Sequence, residues 1–282
     1  MKIETIGIVG AGQMGNGIAQ VAAQAGLGVR MIDAYKPALE AAMKRIEGGL
    51  GRLVKKEKLT SDDAKTILGR IQTGTRLEDI EGSDFAIEAI IEDEEEKNVV
   101  FRKLDEILPP EAILASNTSS ISITRLSSFT SRPHRFIGMH FMNPVPVMKL
   151  VEVIRGIATD DETHKATVEL SEKLGKTCVD SKDYPGFIIN RILMPMINEA
   201  FYTLMEGVAT PKDIDDGMKL GTNHPMGPLE LADLIGLDTC LAIMKVLHDG
   251  LGDSKYRPCP LLRQHVDAGW LGRKTSRGVY VY

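Results

Sequence analysis

The segment TIGIVGAGQMGNGIAQVAAQA, residues 5–25, decides the fold. An apolar, β-branched run from Ile3 to Val9 ends in glycines, and a small-residue helical stretch follows from about Gln13 to Gln24. Between them Gly10-Ala11-Gly12-Gln13-Met14-Gly15 fits G-x-G-x-x-G, a spacing that three glycines can also meet by chance or in any tight turn. The context gives it weight. A strand leads in, a helix leads out, and Asp33 closes the next apolar run, Val29–Ile32, 18 residues beyond Gly15. In such a unit Gly10 permits the tight turn, Gly12 lets the backbone approach a pyrophosphate, and Gly15 lets helix pack closely on strand. The helix N-terminus then offers N–H donors to the phosphates. Asp33 would accept hydrogen bonds from ribose hydroxyls and repel a 2′-phosphate, and no arginine immediately follows it, so NAD is expected over NADP. A flavin dinucleotide usually needs more chain around it than this sequence provides.

Outward from this segment the same alternation continues. Pro37 opens a long helical pattern to about Lys58, and strand-like runs recur at Phe85–Ala89, Ile113–Ala115, Phe136–Phe141 and Leu150–Ile154. Helical patterns lie between several of them, notably Glu94–Leu108, whose acidic start from Asp93 to Glu96 suits a helix N-terminus. Apolar strands alternating with helices predict a mostly parallel, doubly wound sheet covered on both faces. After Lys182-Asp183-Tyr184-Pro185-Gly186 the pattern changes to helical stretches at Phe187–Met205, Pro211–Leu220 and Leu229 to about Leu247, with no strand-like run until the final VYVY. Thr210 as N-cap, Pro211 and Asp213 mark a helix start. The expected organisation is α/β: a dinucleotide-binding domain over residues 1–184 and an all-α domain over 185–282.

Composition narrows the function classes. The chain has 282 residues, 43% hydrophobic and 26% charged, which is ordinary for a globular protein. With 34 Lys+Arg against 39 Asp+Glu, its net charge of −5 speaks against nucleic acid as the main partner. Three cysteines, Cys178, Cys240 and Cys259, are widely spaced in no metal-ligand pattern, so thiols are expected, with neither a disulfide framework nor a bound metal. Met1-Lys2-Ile3-Glu4 runs straight into the first strand without a leader pattern, and no apolar run reaches the ~18 residues of a membrane span. A cytoplasmic protein with no membrane partner is expected.

Two polar residues stand out against apolar surroundings. His140 ends the run RFIGMH at an expected strand end, where α/β sheets bind ligands. Glu152 interrupts KLVEVI. Twelve residues apart, the two could face each other across a hairpin as a general base and its orienter, or be a satisfied structural histidine and an edge glutamate. Ser119, in SNTSS, reads as a loop at a strand's C-terminal end, where turn chemistry and capping account for it before any function need be invoked. Asn190 lies in the apolar helix FIINRIL and needs a buried partner or a ligand.

With these residues in view, the sequence resembles the short-chain L-3-hydroxyacyl-CoA dehydrogenase family. The strings are IGIVGAGQMGNGIAQVAAQAG, SNTSSISIT, GMHFMNPVPVMKLVEVI, PGFIINRILMPMINEA, MKLGTNHPMGPLELADLIGLD and GWLGRKTSRGVYVY, spanning residues 3 to 282 almost throughout. The resemblance implies His140 as general base paired to Glu152, with Ser119 and Asn190 positioning the substrate's oxygens. For the cofactor it adds Glu92, Lys97, Asn143 and Lys274 to Gly10, Gly12, Gln13, Met14, Gly15 and Asp33. For the CoA end it implies Arg52 and Lys56, which without the resemblance read as cations helping a helix C-terminus. It further implies NAD as cofactor, a short acyl-CoA substrate and a homodimer through the C-terminal helices. Two rivals remain at this point: an L-gulonate-type sugar-acid dehydrogenase of the same superfamily, and an NAD-binding protein without turnover.

Overall fold

The computed structural model describes residues 2–282; Met1, with which the leaderless start is read, lies outside them. The chain divides into two compact units, Met1–Tyr184 and Pro185–Tyr282.

In the first unit the order is β1 (Thr5–Val9), α1 (Gln13–Gln24), β2 (Gly28–Ile32), α2 (Lys36–Lys55), α3 (Ser61–Gly69), β3 (Ile71–Gly74), β4 (Phe85–Glu88), α4 (Glu94–Ile107), β5 (Ile113–Ser116), α5 (Ile123–Ser127), β6 (Phe136–Phe141), β7 (Leu150–Arg155), α6 (Asp161–Lys173) and β8 (Thr177–Lys182). The eight strands form one sheet in the order β3-β2-β1-β4-β5-β6-β7-β8. Neighbours are parallel except β6 and β7, which are antiparallel. From β1 the chain winds outward to β3, then crosses back to β4 on the other side. With right-handed crossovers, this reversal places α1 and α4 on opposite faces and opens a crevice at the carboxyl ends of β1 and β4.

The central strands are buried along their length, and α1, rich in alanine and glycine, packs against them with nine of its residues buried. Helix α2 buries Leu39, Ala42, Ile46 and Leu50, a stripe at the helical period. Asp93 caps α4 by accepting from Glu96 N at 3.0 Å, so the acidic run opens a helix as its charge suggests. Strands β3 and β8 are the two sheet edges, and neither carries an apolar run in the sequence.

The second unit comprises α7 (Ile189–Met205), α8 (Pro211–Thr222), α9 (Pro228–Ile235), α10 (Leu237–Leu251) and α11 (Pro260–Asp267) around its own apolar core. Thr210 caps α8 through Asp213 N, as its sequence predicts. The periodicity from Leu229 to Leu247 predicts one helix, but the chain forms two. Gly236, at φ +106°, breaks the helical path, and α10 restarts at Leu237. The terminal VYVY forms no extended strand: Val281 makes an isolated bridge with Arg277, and the segment is tied to Asp215 and Asp233 by hydrogen bonds.

Candidate active site

A cavity of about 670 Å³ lies over the carboxyl ends of β1 to β4. Gly10, Gly12, Gln13, Met14, Asp33 and Ala89 are part of its wall. The three glycines divide their tasks as the motif requires. Gly10 has φ +105°, and a β-carbon there would stand 2.5 Å from Ala89 O. On Gly15 a β-carbon would stand 1.8 Å from Gly10 O, so α1 can approach the turn only at a glycine. On Gly12 it would meet nothing within 4 Å: it would enter open space at the helix N-terminus. No side chain caps that end, which leaves the helix N-terminus available to an anion such as a phosphate. The NAD site therefore fits this chain by geometry as well as by motif.

Asp33 is held in place by accepting from Ala11 N at 2.8 Å and Tyr35 N at 2.9 Å. Its carboxylate oxygens keep further lone pairs for ribose hydroxyls. Beyond the reach of the sequence argument is Arg76, which follows β3 and lines the same cavity, its guanidinium held by Asp79 at 2.9 Å. A cation thus does border the cavity that Asp33 lines, although none follows Asp33 in sequence.

His140 and Glu152 are directly opposed partners on the antiparallel pair β6–β7. Their contact, Nδ1 to Oε2, is 2.6 Å, with Glu152 fully buried and His140 nearly so. With Glu152 ionised, its carboxylate can only accept, which would put the ring proton on Nδ1 and leave Nε2 as the nitrogen able to take a proton. Asn117 Oδ1 accepts from Phe141 N at 3.0 Å and ties the strand end to the loop after β5.

That loop carries Ser119, and Glu92 organises it. One oxygen, Oε1, accepts from Thr118 Oγ1 at 2.6 Å, Ser119 N at 2.8 Å, Ser120 Oγ at 3.0 Å and Ser119 Oγ at 3.2 Å. Burial pushes the Glu92 carboxyl up, but Lys97 and these donors outweigh it and hold it below the usual range. Lys97 is 1% exposed and donates to Glu88 Oε1 at 2.5 Å, reaching Glu92 Oε2 at 3.4 Å. Any role it has toward a cofactor is therefore indirect. Glu88, fully buried, also accepts from Ser116 Oγ at 2.6 Å and Ile90 N at 2.7 Å. Burial raises its pKa despite these partners. The sequence reading passes over Glu88, yet it interrupts FAIEAI just as Glu152 interrupts KLVEVI.

The remaining expected residues fall in different places. Gln13 Nε2 donates to Asn143 Oδ1 at 3.0 Å, joining the glycine turn to the loop after His140. Arg52 and Lys56 lie one turn apart at the exposed end of α2, in no ion pair among the described residues. In the second unit Asn190 is buried near the start of α7, and Lys274 holds both oxygens of Asp238 at 2.6 Å. Among the described residues, no group of three or more His, Cys, Asp or Glu could hold a metal ion. No helix among them is long and apolar enough to cross a membrane.

Comparison with known proteins covers both units. Residues 5–184 match the family model of the 3-hydroxyacyl-CoA dehydrogenase NAD binding domain, and residues 186–282 match that of the 3-hydroxyacyl-CoA dehydrogenase C-terminal domain. A probable 3-hydroxybutyryl-CoA dehydrogenase of Bacillus subtilis is 59% identical over 282 residues, covering 100% of this chain and 98% of that protein. The 3-hydroxybutyryl-CoA dehydrogenase of Bradyrhizobium diazoefficiens is 59% identical over 280 residues, covering 99% and 96%. The crystal structure of (S)-3-hydroxybutyryl-CoA dehydrogenase from Ralstonia eutropha superposes with a TM-score of 0.97 at 56% identity, covering 100% of this chain and 99% of that one.

Proposed function

The chain belongs to the 3-hydroxyacyl-CoA dehydrogenase family, an NAD-dependent enzyme family, and from that premise we propose that it interconverts (S)-3-hydroxybutyryl-CoA and acetoacetyl-CoA. The observation that carries the proposal is the 2.6 Å contact between buried Glu152 and His140 at the carboxyl end of β6. When bound at the glycine turn, NAD would supply the acceptor for the hydride from C3 of the hydroxyacyl group, and NADH the donor in the reverse direction. In oxidation His140 Nε2 takes the proton of the 3-hydroxyl. The imidazolium so formed sits against the Glu152 carboxylate, which stabilises it and holds the ring's orientation. In reduction the protonated ring donates to the ketone oxygen and returns the proton. Ser119, on the loop that Glu92 holds, and Asn190 hydrogen-bond the substrate's oxygens. Glycines 10, 12 and 15 with Gln13 and Met14 seat the pyrophosphate, Asp33 takes the ribose, and Glu92, Lys97, Asn143 and Lys274 serve the cofactor directly or by support.

Arg52 and Lys56 take the phosphates of CoA: both are exposed, one helical turn apart and without an ion-pair partner among the described residues. The second unit supplies a homodimer interface, because Ile192, Leu220 and Leu234 are exposed apolar side chains on α7, α8 and α9. Light scattering should give about twice 30.9 kDa; a mass near 30.9 kDa would remove the dimer. Cytoplasmic location follows from this chemistry, since acyl-CoA and NADH are held there.

Initial rates by nicotinamide absorbance test the substrate. Acetoacetyl-CoA should be reduced rapidly with NADH, whereas free acetoacetate reduced with NADH and L-gulonate oxidised with NAD should turn over at least a hundredfold more slowly. Preference for L-gulonate would assign the sugar-acid reaction instead, and no turnover on any of them would leave a dinucleotide-binding protein.

A further inference from the structure

The loop joining β6 to β7, residues 142–149, strings His140 to Glu152 and carries Asn143. It is held at three points. At one end Gln13 Nε2 donates to Asn143 Oδ1. In the middle, Val145 is buried so tightly against α1 that a β-carbon on Gly17 would lie 2.8 Å from the Val145 Cβ. From beneath comes Lys176, in the turn between α6 and β8, whose Nζ donates to Val145 O at 2.5 Å and Met148 O at 2.9 Å. Lys176 is 8% exposed, and burial pushes its ammonium below the usual lysine range. A lysine left in water would bear no such desolvation cost, and the two main-chain carbonyls offset part of it. The chemistry at His140 makes no use of this group.

We propose that Lys176 is a positioning residue for the dinucleotide site, which holds the 142–149 loop against α1 so that Asn143 and Gln13 meet the nicotinamide cofactor ready-placed. The proposal rests on the reading of Gln13 and Asn143 as cofactor contacts. Lys176 acts through the carbonyls of Val145 and Met148 and touches neither cofactor nor substrate. Lys149 and Lys173 line the same surface cavity of about 350 Å³, so a diffuse basic patch is the explanation to be separated from it.

The test uses the full-length chain and two readouts, NADH binding by fluorescence titration and steady-state kinetics with acetoacetyl-CoA. Lys176→Met should weaken NADH binding about tenfold, with kcat at saturating NADH within about threefold and KM for the thioester unchanged. Gly17→Ala, which pushes Val145 from the opposite side, should do the same, and Asn143→Ala should also weaken NADH. Lys173→Met should match the wild type. Normal NADH binding by Lys176→Met beside a weakened Asn143→Ala would overturn the positioning role. Normal binding by Asn143→Ala as well would remove its premise. Equal losses for NADH and thioester that track a lowered Tm would reduce Lys176 to fold support, and an equal effect from Lys173→Met would favour the basic patch. If Lys176→Met does not fold, Gly17→Ala decides: normal NADH affinity in that folded variant overturns the proposal.

Discussion

Glu152→Gln isolates what the buried carboxylate does for His140. Glutamine keeps the size and can keep an acceptor where Oε2 now lies, 2.6 Å from Nδ1, so the substitution removes the charge and little else. The charge matters when His140 has taken the substrate's proton and an imidazolium faces residue 152. The pair is closed off from water, with side-chain exposures of 10% for His140 and 0% for Glu152. Two unit charges about 4 Å apart interact by about 4 kcal/mol at an effective dielectric constant of ~20. A neutral amide retains a hydrogen bond of roughly half the charge-assisted strength. The net loss of transition-state stabilisation is then about 2–3 kcal/mol, or roughly 30- to 150-fold in kcat. The assay is NADH formation from 3-hydroxybutyryl-CoA at saturating NAD, with circular dichroism to verify the fold. A folded variant that loses less than about threefold would refute the stabilising role of Glu152.

The glycines give a paired test. Gly12→Ala places a methyl in open space, so melting should stay within about 0.5 kcal/mol of the wild type while NADH binding falls at least tenfold, read by scanning fluorimetry and titration. Gly15→Ala instead drives a β-carbon onto Gly10 O and should destabilise the fold itself by more than about 2 kcal/mol; an unchanged melting temperature there would contradict the packing described. Asp33→Ala should weaken NADH and narrow its advantage over NADPH, the more so because Arg76 lies on the same cavity; an unchanged cofactor ratio would count against Asp33 as the selecting group. Glu92 predicts an acid limit. Its folded pKa is held below the unfolded value, so the stability it contributes is complete above about pH 5 and is lost as pH falls through its folded pKa. Glu92→Gln should flatten the melting-temperature profile on the acid side of about pH 5, and an unaltered slope would show that other carboxylates carry it.

How far these features could be read from sequence follows from where they lie. Strands β1, β2, β4, β5, β6 and β7 sit inside the sheet and show as apolar runs, because both their faces are covered. The two strands that leave no such trace, IQTG in β3 and TCVDSK in β8, are the sheet's edges, where one flank is open and the side chains are largely exposed. Missing β3 also hides Arg76, since only the strand's position brings its exit loop to the cavity that Asp33 lines. The pairing of His140 with Glu152 is legible because a charge in an apolar run needs a partner, and register makes them opposite. Glu88 carries the same signal, but its partner Lys97 lies on α4, among charges that look like an ordinary solvated helix start. Lys176 is invisible for a related reason: nothing in LGKTC indicates that its ammonium turns inward to main-chain carbonyls. The break at Gly236 is legible only in part, since a glycine within a helical pattern is often tolerated.

The central claim is that His140 moves the proton while the glycine turn independently holds the cofactor. Measuring kcat with acetoacetyl-CoA and the dissociation constant of NADH on His140→Ala tests both halves at once. The account predicts a loss in kcat of at least about a hundredfold with NADH affinity within about twofold of the wild type. A loss of only a few-fold in kcat would contradict it and return His140 and Glu152 to a buried structural pair.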